Sequence, residues 1–95
     1  MASAKYKQSD VVSIVTLTGE FVGRFVSEST TEVIIKNPRL LTQAQNGAGF
    51  LPAVCMTGVV EPDEVGFNKS VVAFVVKTAE EVEKEYIAAT SGLVL

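Results

Sequence analysis

Residues 11–37 run VVSIVTLTGEFVGRFVSESTTEVIIKN, and this stretch decides the fold. As an extended strand, Val11 to Leu17 puts Val11, Ser13, Val15 and Leu17 on one face and Val12, Ile14 and Thr16 on the other, so both faces are largely apolar. Thr18-Gly19 is a two-residue turn signal, and Glu20 to Glu28 returns as the second strand of a hairpin. Gly23 stands in the middle of that strand, where the missing side chain permits a sharp bend or the close approach of another strand. Ser29-Thr30-Thr31 is a polar break before Glu32-Val33-Ile34-Ile35-Lys36, a third strand able to run past Pro38 to Leu40 and Leu41. Pro38 has no amide hydrogen to donate, which predicts irregular or edge pairing around it.

Outward from this stretch, Thr42 to Gly49 is polar, small and glycine-bearing, and is read as the most mobile loop of the chain. Phe50 to Val60 resumes as a strand, interrupted at Glu61-Pro62-Asp63-Glu64 by a turn or bulge. Val65 to Asn68 is a short extended continuation, Lys69-Ser70 turns, and Val71 to Val76 is a last strand with no polar face, the pattern of a strand covered by protein on both sides. Thr78 followed by Glu81 is a capping-box signature. It opens a helix over Ala79 to Thr90 with Gly92 as its stop and an apolar stripe of Ala79, Val82, Tyr86, Ala89 and Leu93. The expected architecture is one mainly β domain, with five strands over about 9–77 and a C-terminal helix over about 78–91.

Composition supports this and narrows function by exclusion. Valine supplies 16 of the 95 residues, and β-branched side chains favour a pleated, half-buried surface. A lone domain of this size buries only about 60 to 65% of its unfolded surface, so a partner subunit is the simplest further cover for apolar area. With no His and one Cys, zinc and Fe–S sites, a disulfide framework and a histidine-based triad are out of reach. No leader pattern and no run near 18 apolar residues is present, so a cytoplasmic protein without a membrane segment is expected.

Enzymatic chemistry finds no constellation. Glu61, Asp63 and Glu64 flank Pro62 in a turn, where acidic residues serve local hydrogen bonding. Cys55 lies in an apolar stretch with no basic neighbour to activate it and reads as a structural thiol. Gly47-Ala48-Gly49 lacks the Lys and Ser/Thr of a phosphate loop. The chain is read as no enzyme, with no cofactor and no metal.

The formal charge of −3 would by itself argue against a nucleic-acid binder, but it is unevenly placed. Residues 78–95 hold four Glu and one Lys, whereas seven acids balance seven bases over residues 1–77. The excess acidity belongs to the helix, and residues 1–77 are neutral overall.

The order hairpin, Gly23, polar turn, and apolar strand ending Lys36-Asn37 resembles the first signature motif of the Sm-like family, which includes the Sm and LSm proteins and Hfq. Residues 23–37 lie without a gap on the Hfq segment that also begins with Gly and ends with Lys-Asn. Phe67-Asn68-Lys69-Ser70 leading into Val71 to Val76 fits the place of the second motif, in preference to the earlier Met56-Thr57-Gly58. The Lys36-Asn37-Pro38 step, the Phe50-Leu51-Pro52 restart and Tyr86 in a C-terminal helix also look like small Sm-like proteins of phage and marine metagenomes.

The resemblance, which covers most of residues 11–76, implies a strongly bent five-stranded open barrel. It further implies closure into a homo-oligomeric ring of about five to seven subunits through pairing of the fourth strand of one copy with the fifth of the next. Carried over by position, the nucleic-acid-binding residues are Ser29, Thr30 and Thr31 in the first turn and Asn68 and Lys69 in the second, with Thr31 where the family usually carries a stacking aromatic. The implied ligand is single-stranded RNA, with DNA as a variant, and the implied role is RNA processing or chaperoning. A structural ring that docks proteins in a phage-like complex is the alternative. Arg24, Lys36 and Arg39 are candidates for a secondary basic surface.

Overall fold

The computed structural model describes residues 6–44, 47–52 and 63–91. Six strands and one helix follow in the order β1 (Val11–Thr16), β2 (Gly19–Glu28), β3 (Glu32–Ala44), β4 (Gly47–Pro52), β5 (Glu64–Asn68), β6 (Val72–Lys77) and α1 (Glu80–Thr90). The sheet is antiparallel, with spatial order β4-β3-β2-β1-β6, and β5 also pairs with β3. The mainly β fold with a terminal helix is therefore as the sequence led us to expect, but the strand count is higher by one.

The additional strand is β5, read from the sequence as a continuation of the strand that starts at Phe50 but paired on its own with β3, and the segment read as a mobile loop is extended as well. Thr42 pairs with Gly49, Gln43 with Ala48 and Ala44 with Gly47, so β3 and β4 form a long hairpin where the polar composition had suggested a loop. Small and polar residues suit a two-stranded hairpin as well as a loop, and Asn46-Gly47 is a strong hairpin-turn dipeptide. Beyond Pro52, the rest of the expected strand to Val60, with Cys55, Met56-Thr57-Gly58, Glu61 and Pro62, lies outside the described residues.

One edge of β3 is shared between two partners: Glu32–Lys36 pairs with β5, and Arg39–Ala44 with β4. Asn37 and Pro38 fall between them. There the β2–β3 register shifts, with Val22 opposite Arg39 but Arg24 opposite Lys36, so β3 carries an extra residue. Asn37 takes φ 49°, a left-handed conformation that Asn tolerates better than most side chains, and Pro38 is fully buried. The irregularity expected at Pro38 is thus a β-bulge. A compensating shift follows on β2 between Phe25 and Ser27.

Gly23 lies opposite this bulge. A Cβ there would stand 2.6 Å from Ile35 Cδ1 and 3.1 Å from the Lys36 carbonyl oxygen, so the close approach anticipated from the sequence is real. The bulges bend the sheet, and chain connectivity requires it. β5 and β6 end the path β5-β3-β2-β1-β6, which flat would hold them roughly 19 Å apart at about 4.8 Å per strand. Yet Asn68 and Val72 are joined by four peptide steps, spanning at most about 14 Å. The sheet curls, without a ladder closing β5 onto β6 among the described residues.

Curling makes two apolar layers from the two faces of β1. Val12 and Ile14 join Phe25, Val33 and Ile35 on the concave side, with Phe67, Val72 and Val75 packed against them. Tyr6 seals one end, its ring 5.9 Å from Phe25 and its hydroxyl donating to the Val75 carbonyl at 3.1 Å. Val11 and Val22 face the other way and are covered by Tyr86 and Ile87 of α1 and by Phe50 of β4.

The helix differs from its sequence reading in two ways. Of the expected stripe only Tyr86 is buried; Val82 is half-buried, Ala79 and Ala89 are exposed, and Leu93 lies outside the described residues. No side chain caps the helix, because Thr78 is taken up elsewhere: it is buried, and its hydroxyl lies 2.8 Å from Ser13 Oγ. A tertiary hydrogen bond therefore replaces the capping box. β6 is also less covered than expected, since Phe74 is 53% and Val76 41% exposed.

Candidate nucleic-acid interface

The connection Ser29–Thr31 is organised by its own side chains. The Ser29 amide donates to the Glu32 carbonyl at 2.9 Å, and Ser29 Oγ accepts from the amides of Thr31 and Glu32, both at 3.2 Å. This is the serine-turn chemistry that suits the residue to such positions. Thr31 Oγ1 lies 3.3 Å from Ser29 Oγ, whereas Thr30 is exposed and its hydroxyl makes no hydrogen bond within the described residues.

The turn between β5 and β6 is built in the same manner. Asn68 Oδ1 accepts from the Ser70 amide at 2.8 Å, and the Val71 amide donates to the Asn68 carbonyl at 3.1 Å. Asn68 is exposed, and the NH2 of its side chain is left for an external acceptor.

One backbone hydrogen bond joins the two turns. The Lys69 amide donates to the Thr31 carbonyl at 2.8 Å, extending the β3–β5 ladder beyond the Glu32–Asn68 pair. All five residues singled out from the sequence therefore share one end of the sheet, although 37 positions separate Thr31 from Asn68. Sequence reasoning missed the neighbour that faces them: Glu28 Oε2, at the end of β2, is 2.8 Å from Lys69 Nζ, each side chain about one-third exposed. Glu28 directly precedes Ser29, so its place at the turn was legible, but its partner is set by a turn far along the chain.

An open groove of about 280 Å³ runs from this ion pair along β6, its walls including Tyr6, Phe25, Val72 and Phe74. The set at the turns offers hydroxyls, an amide and one cation, which can bind base edges and a phosphate. It offers no aromatic stacking surface of its own.

The second basic set is not one surface. Arg24 and Lys36 are paired directly across β2 and β3, and Glu64 lies opposite Lys36 on β5. Arg39 is buried and donates to the Pro38 carbonyl at 3.0 Å. Burial pushes the Tyr86 hydroxyl above its ordinary pKa of 10.0, against the lowering influence of Arg24 and Arg39 and a hydrogen bond with Thr90. No group of acidic or thiol side chains suited to a metal occurs among the described residues, and none of their helices is long and apolar enough to cross a membrane. No protein-family model matches the chain, and no curated protein matches it.

Proposed function

We propose that copies of this chain associate edge to edge into a noncatalytic Sm-like ring of barrel-like bent sheets. Ser29, Thr30, Thr31, Asn68 and Lys69 of every copy then form a rim that binds single-stranded RNA. The observation that carries this reading is the Lys69–Thr31 backbone hydrogen bond, which brings a cation, an amide and hydroxyls to one end of the sheet. Each set is weak alone, and repetition around a ring raises the effective concentration of the remaining sites once one is engaged.

Association is supported by the strand edges. The outer edges of β5 and β6 have no partner strand among the described residues, and β6 exposes Phe74 and Val76 with Val71 just before it. An apolar edge of this kind invites strand pairing. A contact of about 800 Å² per partner, typical of a specific interface, would cover it.

A second reading is a ring that docks other proteins of a phage-like complex; Leu51, an apolar side chain that is 52% exposed on β4, favours it. Anisotropy titrations with labelled oligo(U), oligo(A) and single-stranded DNA at two salt concentrations separate the two. Binding to RNA that weakens with salt and is lost in the Lys69→Glu, Asn68→Ala double variant supports the rim; no binding at tens of micromolar supports docking.

A further inference from the structure

Lys69 is the cation of the proposed rim, and it is already engaged. Its ammonium lies 2.8 Å from Glu28 Oε2, with the two side chains 35% and 34% exposed. The backbone on both sides of this pair is fixed: Glu28 is the last residue of β2, in register with Val33, and the Lys69 amide is bonded to Thr31. The pair is thus held by the same hydrogen bond that assembles the rim.

From this geometry we infer that Glu28 is an affinity-limiting residue of the RNA site, an internal competitor that an incoming phosphate must displace from Lys69 or tolerate beside it. The inference rests on the RNA-binding reading of the rim. An ammonium has three donors and can hold two anions at once, but two oxyanions on one nitrogen stand only a few ångströms apart and repel. Glu28 also offers only acceptors where a base edge or a phosphate approaches, so it opposes every ligand group except an N–H donor.

The size of the effect follows from exposure. A partly solvated ion pair is weak, so removing the competing charge tightens binding by about 2- to 5-fold. A larger gain would require a buried pair. Because Glu28 acts through Lys69, its effect depends on that residue, which makes the two substitutions non-additive.

The test is an anisotropy titration of a labelled oligo(U), at one fixed salt concentration, against the full chain and four variants: Glu28→Gln, Lys69→Met, the combination of these two, and Glu20→Gln as a control for net charge. Glu20 stands eight residues earlier on the same strand, is exposed, and is paired across the ladder with Val15. Glu28→Gln is expected to bind about 2- to 5-fold tighter, Lys69→Met weaker, the double variant no tighter than Lys69→Met, and Glu20→Gln unchanged. Equal or weaker binding by Glu28→Gln, with Lys69→Met still weakened, overturns the role of Glu28 and leaves the RNA-binding rim standing. An equal gain in Glu20→Gln, or a gain that persists in the double variant, also overturns it, by showing bulk charge. Absence of binding by the wild type and by Glu28→Gln alike overturns the rim reading itself.

Discussion

The Tyr86 hydroxyl donates to the Asn37 carbonyl oxygen at 2.6 Å, tying the terminal helix to the bulge of β3. The same hydroxyl lies 3.3 Å from the Lys36 carbonyl, and the ring packs edge-on against Phe50 at 5.9 Å. A bulge interrupts its ladder and leaves backbone groups without strand partners. Here Tyr86 takes the Asn37 carbonyl and the Asp63 carbonyl takes the Asn37 amide at 2.7 Å, so the irregular position is satisfied from two other parts of the chain.

Tyr86→Phe keeps the ring and removes the donor. It is expected to destabilise by about 1 kcal/mol, the loss of a hydrogen bond at a half-buried carbonyl. Tyr86→Ala also empties the layer between helix and sheet and is expected to cost about 3–5 kcal/mol. Urea unfolding followed by circular dichroism checks both; equal stabilities for wild type and Tyr86→Phe would show that the hydrogen bond contributes nothing.

The raised pKa of Tyr86 gives a pH dependence of definite sign. Below pH 10.0, the ordinary value, both folded and unfolded states keep the phenol proton and its contribution is fully present. Above that value the unfolded chain loses the proton first, so stability falls as pH rises through the folded pKa. Wild type should therefore lose stability above pH 10.0 more steeply than Tyr86→Phe, which lacks the titrating group. Melting temperatures of the two proteins across this range give the comparison, and parallel curves would refute it.

Gly23 carries a steric prediction. Gly23→Ala sets a methyl 2.6 Å from Ile35 Cδ1, and Ile35 is fully buried and cannot swing away freely. The expected cost is about 1–3 kcal/mol, as for overpacking. Combining it with Ile35→Val, which deletes that Cδ1, should cost less than the sum of the single changes. Strict additivity in chemical denaturation would contradict this account of the approach between β2 and β3.

How far the sequence could be read depended on whether a signal was local. The β1–β2 hairpin, the close approach at Gly23 and the break at Pro38 follow from side-chain alternation and from missing side chains or donors, all visible within a few residues. The two turns of the candidate site were legible as turns, and their meeting was implied only by the Sm-like resemblance, because the Lys69–Thr31 bond depends on the curl of the whole sheet. Thr78 was misread for a related reason: its capping signature is local, but Ser13 on β1 competes for the hydroxyl and wins. The 42–49 segment differs from its reading as a loop because small polar residues suit a hairpin and a loop equally well. Glu28 escaped notice since an ion pair between distant positions leaves no pattern in sequence.

The claim on which the proposed function depends most is that β6 is a subunit contact, since a rim of weak sites needs copies to repeat it. Size-exclusion chromatography with light scattering at micromolar concentration measures this directly, beside the variant Phe74→Glu, which places a charge on a side chain that is 53% exposed. A ring closed through β6 gives one species of about five to seven times the 10.1 kDa chain for the wild type and dissociates in Phe74→Glu. A clean 10.1 kDa monomer for the wild type would contradict it.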